Sequence, residues 1–225
     1  MRLSATARRE RILASAQRLF ARQGFQGTTT RGIAASAGIT EAMVFRHFRS
    51  KEELYWVVLT DLCRSRGGQQ RLRAILERTG SDEAVFAALA EDILLRNQDP
   101  AMTRLLLFSA LENHKLSHRF FRAHIFEYYE LLAEHIRRRM EQGRFRKIDP
   151  MLAARGFLGM VAYHVMVQDL FGGKRLKSYD TAEVSRTLAE IWLAGMRNPR
   201  AGRNGTNGHN GNGSRNGNHR TRKTS

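Results

Sequence analysis

Several things are scarce in this chain, and each scarcity excludes something. Cys63 is the one cysteine among 225 residues, which rules out an internal disulfide framework and a zinc site built on cysteine. There are three prolines, and no alternating apolar and polar stretch is bounded by hairpin turns, so a sheet is not expected. No run approaches the roughly 18 apolar residues that a spanning helix needs. The opening MRLSATARRERILASAQRLF lacks the apolar centre of a secretory signal, being interrupted by Arg11 and Arg18. These readings predict a cytoplasmic protein with no membrane partner. Acidic residues are also few: 21 Asp+Glu against 38 Lys+Arg give a formal net charge of +17. That excess favours an anionic partner, either nucleic acid or a membrane surface. At 42% hydrophobic residues the chain still holds enough to bury a core.

The charge is unevenly placed. Residues 1–60 carry ten Lys/Arg and four Glu, a net of +6. From Asn198 to Ser225 the sequence is rich in Gly and Asn, has no acidic residue, and holds six cations: Arg200, Arg203, Arg215, Arg220, Arg222 and Lys223. Such a segment buries too little surface to offset its ordering entropy, so residues 198–225 read as a disordered basic tail. Its role is either an arm that adds nonspecific phosphate contacts or a solvated extension. Two glycosylation sequons, at Asn204 and Asn212, arise by chance in Asn-rich sequence.

Between the two ends the pattern is helical throughout. The spacing predicts helices over 7–23, 30–37, 41–47, 51–78 (with a break possible at Gly67-Gly68), 82–97, 100–113, 118–142, 150–171 and 181–197. Asp99-Pro100 and Asp149-Pro150 each place a good N-cap before proline at the first helical position. Ser117 is expected to cap the run from 118, Gly143 to end it, and Asp180 or Thr181 to open the last helix. The expected fold is all-α: a small helix-turn-helix module over 1–54, a larger helical bundle over 55–197, and the tail.

In the first helix Ile12, Leu13, Ala16, Leu19 and Phe20 share one face. Gly24 ends it and Phe25 packs back. Thr28, Thr29 and Thr30 offer capping hydroxyls to a short helix whose Ile33, Ala34 and Ala37 turn inward. Gly38 permits a sharp turn, Ile39 tucks beneath it, and Thr40 is expected to cap the next helix. Two short helices joined by a glycine turn are the helix-turn-helix pattern, with residues 41–47 as the helix that enters a major groove.

The string GFQGTTTRGIAASAGITEAMVFRHFRSKEEL resembles the DNA-binding segment of the tetracycline-repressor-like (TetR) family of bacterial regulators. The shared landmarks are Gly24-Phe25, Thr28-Thr29, Ile33-Ala34, Ala37-Gly38-Ile39, Phe45, His47-Phe48 and Ser50-Lys51-Glu52-Glu53-Leu54. The likeness covers residues 8–54. Two positions depart from it. Phe45 stands where a tyrosine usually reaches a phosphate, which leaves that contact to a neighbour such as Arg46. Ala42-Met43 replaces a common Gly-Thr pair, and Met43 is able to touch a thymine methyl group but not to donate a hydrogen bond.

The roles then divide. Thr28, Thr30, Arg46, His47 and Lys51 are expected at phosphates. Arg31, Glu41, Ala42 and Met43 are expected at bases, Arg31 suiting guanine and Glu41 cytosine. Glu41 has the alternative of simply favouring the start of its helix, and His47 that of a packed core residue. Val44, Phe45 and Phe48 are expected to pack the recognition helix against the module.

The later helices are long and apolar. The segment 150–171 is apolar on more than one side, as in a helix central to a core or buried by a second subunit. The resemblance implies that the last two helices pair with their counterparts in a homodimer, and one short recognition helix alone reads too few bases. Phe108, His124, Tyr128, Tyr163 and His164 are candidate contacts of an unknown small-molecule ligand; packing in the core is the alternative for each. His114 and His118 are four apart, but the helix start expected at Ser117 separates them and Lys115 stands where a zinc protease has its glutamate. Gly172-Gly173-Lys174 lacks the spacing of a phosphate loop. No cofactor, no metal and no catalytic site is expected. The reading is of a ligand-responsive, dimeric regulator, a repressor, that binds double-stranded DNA at a palindromic operator; a structural DNA-binding protein without an inducer is the alternative.

Overall fold

A computed structural model describes residues 4–65, 67–78, 80–96, 101–112 and 115–199. The expected cap at Asp99-Pro100, His114, and all of the tail beyond Pro199 lie outside these residues. Among them there are helices and one isolated antiparallel bridge, Phe145 with Arg197.

Three short helices come first: α1 (Ala5–Gln23), α2 (Thr30–Ala37) and α3 (Glu41–His47). Their ends follow from local chemistry. Ser4 Oγ accepts from the Ala7 amide at 3.1 Å, and Thr29 Oγ1 accepts from the Gly32 amide at 3.0 Å, each satisfying an open donor of a first turn. Gly38, at φ 65°, takes the left-handed conformation that its turn requires. Thr40 precedes α3 but makes no side-chain capping bond, contrary to expectation.

Next come α4 (Lys51–Ser65) and α5 (Gly68–Leu76), two helices rather than one, divided at Gly67. Ser50 Oγ accepts from the Glu53 amide at 3.1 Å while Glu53 accepts from the Arg49 amide at 2.7 Å, a reciprocal cap that starts α4. Then follow α6 (Asp82–Arg96) and α7 (Ala101–Leu111). The helix expected from 118 instead begins at Lys115, so Ser117 lies inside it rather than ahead of it. It runs as α8 (Lys115–Phe120), a π-helical segment (Phe121–Phe126) and α9 (Glu127–Glu141). The remainder is α10 (Pro150–Asp169), the single turn α11 (Gly173–Leu176) and α12 (Thr181–Met196). Asp149 and Asp180 cap α10 and α12 through the Leu152 and Glu183 amides.

Two apolar cores result. The first gathers Ile12, Phe20, Phe25, Ile33, Val44, Phe48, Leu54, Tyr55, Val58 and Leu59 with Leu105 of α7 and Phe120 of α8. It runs along α4 past the boundary expected at residue 54. Burial pushes the Tyr55 hydroxyl up to about 12. The second core joins α5, α6, α9, α10 and α12 around Phe86, Phe157 and Trp192. Trp192 stacks on Phe86 with ring centroids 4.4 Å apart and donates its indole N–H to the Ala153 carbonyl at 3.2 Å, so its polar edge is also satisfied.

By length and hydropathy, α10 is the one helix among the described residues that meets the measure of a membrane span. It buries one face with Ala154, Phe157 and Val161. Its other face leaves Leu152, Gly156, Gly159 and Tyr163 exposed, and Ile191 of α12 is exposed as well.

Candidate nucleic-acid interface

Of the seven residues of α3, Val44 alone is buried. It is held in the first core with Phe48, which follows the helix, so these two expected packing positions are occupied as packing. Phe45 is not. Its side chain is 48% exposed, because it falls about 100° further round the helix than Val44. Phe45 therefore shares the outward surface with Ala42 and Arg46, and its expected packing role is corrected.

Arg31, in the first turn of α2, is exposed, and no ion pair is made by it among the described residues. Thr30 donates its hydroxyl to the Glu41 carboxylate, joining the first turns of α2 and α3. Glu41 thus has a third role beside the two weighed from sequence: it fixes the angle between the two short helices. The Arg46 guanidinium reaches back to the Met43 sulfur at 3.8 Å. Met43 and His47 are half-buried.

Two residues expected at phosphates turn inward. Thr28 is buried, and its hydroxyl donates to the Gly24 carbonyl at 2.7 Å. Lys51 donates its ammonium to the carbonyls of Phe25 and Thr28, each at 3.0 Å, and lies 4.2 Å over the Phe25 ring. The open acceptors of the turn after α1 and an aromatic face together take up its donors. Thr28 is enclosed within the turn between α1 and α2, and Lys51, half-buried, braces that turn from the start of α4. Arg9, which spacing alone did not single out, lies 5.2 Å over the Phe48 ring beside α3. Arg11 reaches the Gly38 turn. The only sequence signal for them was the run of arginines in α1.

The expected ligand contacts scatter. Phe108 faces Gly24. His124 packs between Phe120 and Trp56, with ring centroids 5.0 and 6.3 Å away. Tyr128 is half-buried beside Gly68 of α5, its hydroxyl pushed up to about 12 by burial, and Tyr163 lies on the exposed face of α10. His164, its pKa lowered by burial, borders a polar cavity of about 290 Å³ with Gln168, Asp169 and Lys174. A second cavity, of about 400 Å³, opens between α7 and the π-helical stretch. It is lined by Leu106, Ser109, Ala110, His118, Phe120, Phe121 and Ile125, of which His118 is weighed from sequence only beside His114, as a metal pair.

Comparison with known proteins agrees with this geometry. The profile of the family described as bacterial regulatory proteins, tetR family, matches residues 12–56, and that of the AefR-like transcriptional repressor C-terminal domain matches residues 85–195. The nucleoid occlusion factor SlmA of Vibrio atlanticus is 30% identical over 68% of this chain and 80% of its own. The match to the regulator YvkB of Bacillus subtilis, 37% identical over 32% of this chain, spans 35% of that protein. Among solved structures, FadR of Bacillus subtilis in complex with stearoyl-CoA has the same fold, with a TM-score of 0.62 at 17% identity, over 83% of this chain and 98% of that one.

Proposed function

Since the chain belongs to the tetR family of bacterial regulatory proteins, we propose that it is a ligand-responsive transcriptional repressor that binds a palindromic operator as a homodimer. The observation that carries this reading is α3, whose residues are all unburied except Val44, standing beside the exposed Arg31 on a module with a solid core. Arg31 suits guanine, and Ala42, Met43 and Phe45 suit thymine methyl groups. Arg46, Arg9 and His47 suit the flanking phosphates. Residues 1–54 supply the reading head and 55–197 the dimer and ligand sites.

The exposed large apolar side chains of α10 and α12, Leu152, Tyr163 and Ile191, support a homodimer, since in a monomer they are left in water. The cavity beside α7 has apolar walls and only Ser109 and His118 as polar groups, which suits a ligand with an apolar chain. The stearoyl-CoA bound by FadR belongs to that class. The likeness to a nucleoid occlusion factor favours the second reading, a DNA-organising role without an inducer.

The test is selection of duplexes from a random pool by the full chain, followed by titration of the winner with stearoyl-CoA. The expected result is a palindrome with half-sites about one helical turn, or a multiple of it, apart and an operator affinity that falls as ligand is added. No enriched palindrome would refute DNA reading by a dimer. An affinity indifferent to ligands with apolar chains would leave the DNA-organising reading in its place.

A further inference from the structure

The turn that follows α1 is held from outside the reading head by one helix. Arg104 of α7 donates through Nε to the Ala21 carbonyl at 2.7 Å. Glu112, directly after α7, accepts from the Phe25 amide at 3.0 Å and from the Gln26 amide at 3.2 Å. Between them the Phe108 ring lies against Gly24. Residues 104, 108 and 112 recur at four-residue spacing, so all three project from one side of α7. The polarity of each contact is the favourable one. The last carbonyls of α1 carry partial negative charge and meet a guanidinium, while the open amides beyond meet a carboxylate.

Gly24 makes the approach possible. Its φ of 73° disfavours any other residue, and Glu112 Oε1 lies 2.2 Å from where a Cβ would stand. Lys51 closes the same turn from the other side. The turn is therefore gripped on one side by α4 and on the other by α7.

We propose that Arg104 and Glu112 are positioning residues that set the angle of the reading head on its protomer, and so decide which half-site spacing the dimer accepts. This rests on the dimeric DNA-binding reading above. The physical argument is one of directionality. The apolar packing of Leu105 and Phe120 against Tyr55 and Leu59 tolerates sliding, because hydrophobic contact is non-directional. Hydrogen bonds between charged groups and backbone fix both distance and angle. Without them α4 remains as a covalent strut about which the head is free to swing. In a two-fold dimer a swing of either head changes the distance between the two recognition helices, and that distance is what operator spacing measures.

The test compares full-length wild type with Glu112→Gln, Arg104→Met and Arg104→Lys, on the selected palindrome and on versions with base pairs inserted or removed between the half-sites. Urea midpoints are measured alongside. Wild type is expected to prefer one spacing by about tenfold or more, as for other well-fitted sites. Glu112→Gln and Arg104→Met are expected to flatten that preference to about threefold or less while remaining folded dimers. Arg104→Lys keeps a donor for the Ala21 carbonyl and is expected to keep the wild-type profile. Equal losses at every spacing, with discrimination intact, would show a merely structural role and overturn the proposal. A wild type that binds no palindrome at all would instead overturn the DNA-binding reading, and the proposal with it.

Discussion

Lowering the pH from about 7.5 to about 5.0 should cost the fold about 1–2 kcal/mol through His135. This residue of α9 is 7% exposed. Its ring lies edge-on to Phe86 at 6.1 Å, and its Nε2 has no hydrogen-bond partner among the described residues. Burial first, and then the charges of Arg139 and Arg138, push its pKa down to about 4; Asp82 pulls weakly the other way. The folded state thus binds the proton less readily than the unfolded one, whose imidazole titrates at an ordinary value near 6.5. The stabilisation is complete above about pH 6.5 and is lost as the pH falls towards 4. For the full shift the linkage relation gives about 2 kcal/mol at pH 5, and partial hydration of the two arginines reduces it towards 1. The assay is the urea midpoint of wild type and of His135→Leu at both pH values. Leucine cannot titrate, so the variant should lose less stability on acidification, by that 1–2 kcal/mol. Equal acid losses in the two proteins would refute the reasoning.

Lys51→Met should destabilise the protein by about 1.5–3 kcal/mol, the usual worth of hydrogen bonds to a charged group, while the dependence of log affinity on log salt stays as in wild type. A slope shallower by about 0.9 would instead mean that Lys51 neutralises a phosphate. Arg31→Ala should cost about 1–3 kcal/mol on the selected operator and relax preference at one base pair, read by competition among singly substituted duplexes. A loss of the same size on random DNA would make Arg31 a phosphate contact.

What was legible in the sequence was whatever depends on near neighbours. Thr29, Gly24, Gly38, Asp149 and Asp180 mark helix ends through bonds spanning a few residues, and the structure places ends there. Ser117 misled because a good cap is also tolerated inside a helix when packing continues on both sides. Phe45 misled because an aromatic side chain reads as core unless the orientation of its helix is known. Lys51 and Thr28 have the right chemistry for phosphate, but carbonyls nearer at hand take their donors. Glu112 was invisible for a different reason. Its partners lie 87 and 86 residues earlier, a pairing that no local spacing encodes. The cavity beside α7 was likewise hidden, since its walls come from two helices whose facing sides only tertiary packing selects.

The π-helical stretch from Phe121 to Phe126 is where the long helix from Lys115 to Glu141 has slack in its residue count. Upstream of it Leu116 and Phe120 serve the core around Tyr55; downstream Leu132 and Ile136 serve the core around Phe86. A π segment is the usual way for a continuous helix to absorb one surplus residue without breaking. Losing one codon in this stretch would let regular α-helical bonding close again with the faces on either side kept. Losing one early in α9, which has no such slack, would turn every side chain beyond it by about 100°. Leu132 and Ile136 would then leave the second core together. A gene for this protein is therefore expected to vary in length through the exposed stretch at 177–179, and to hold its count between Glu127 and Glu141.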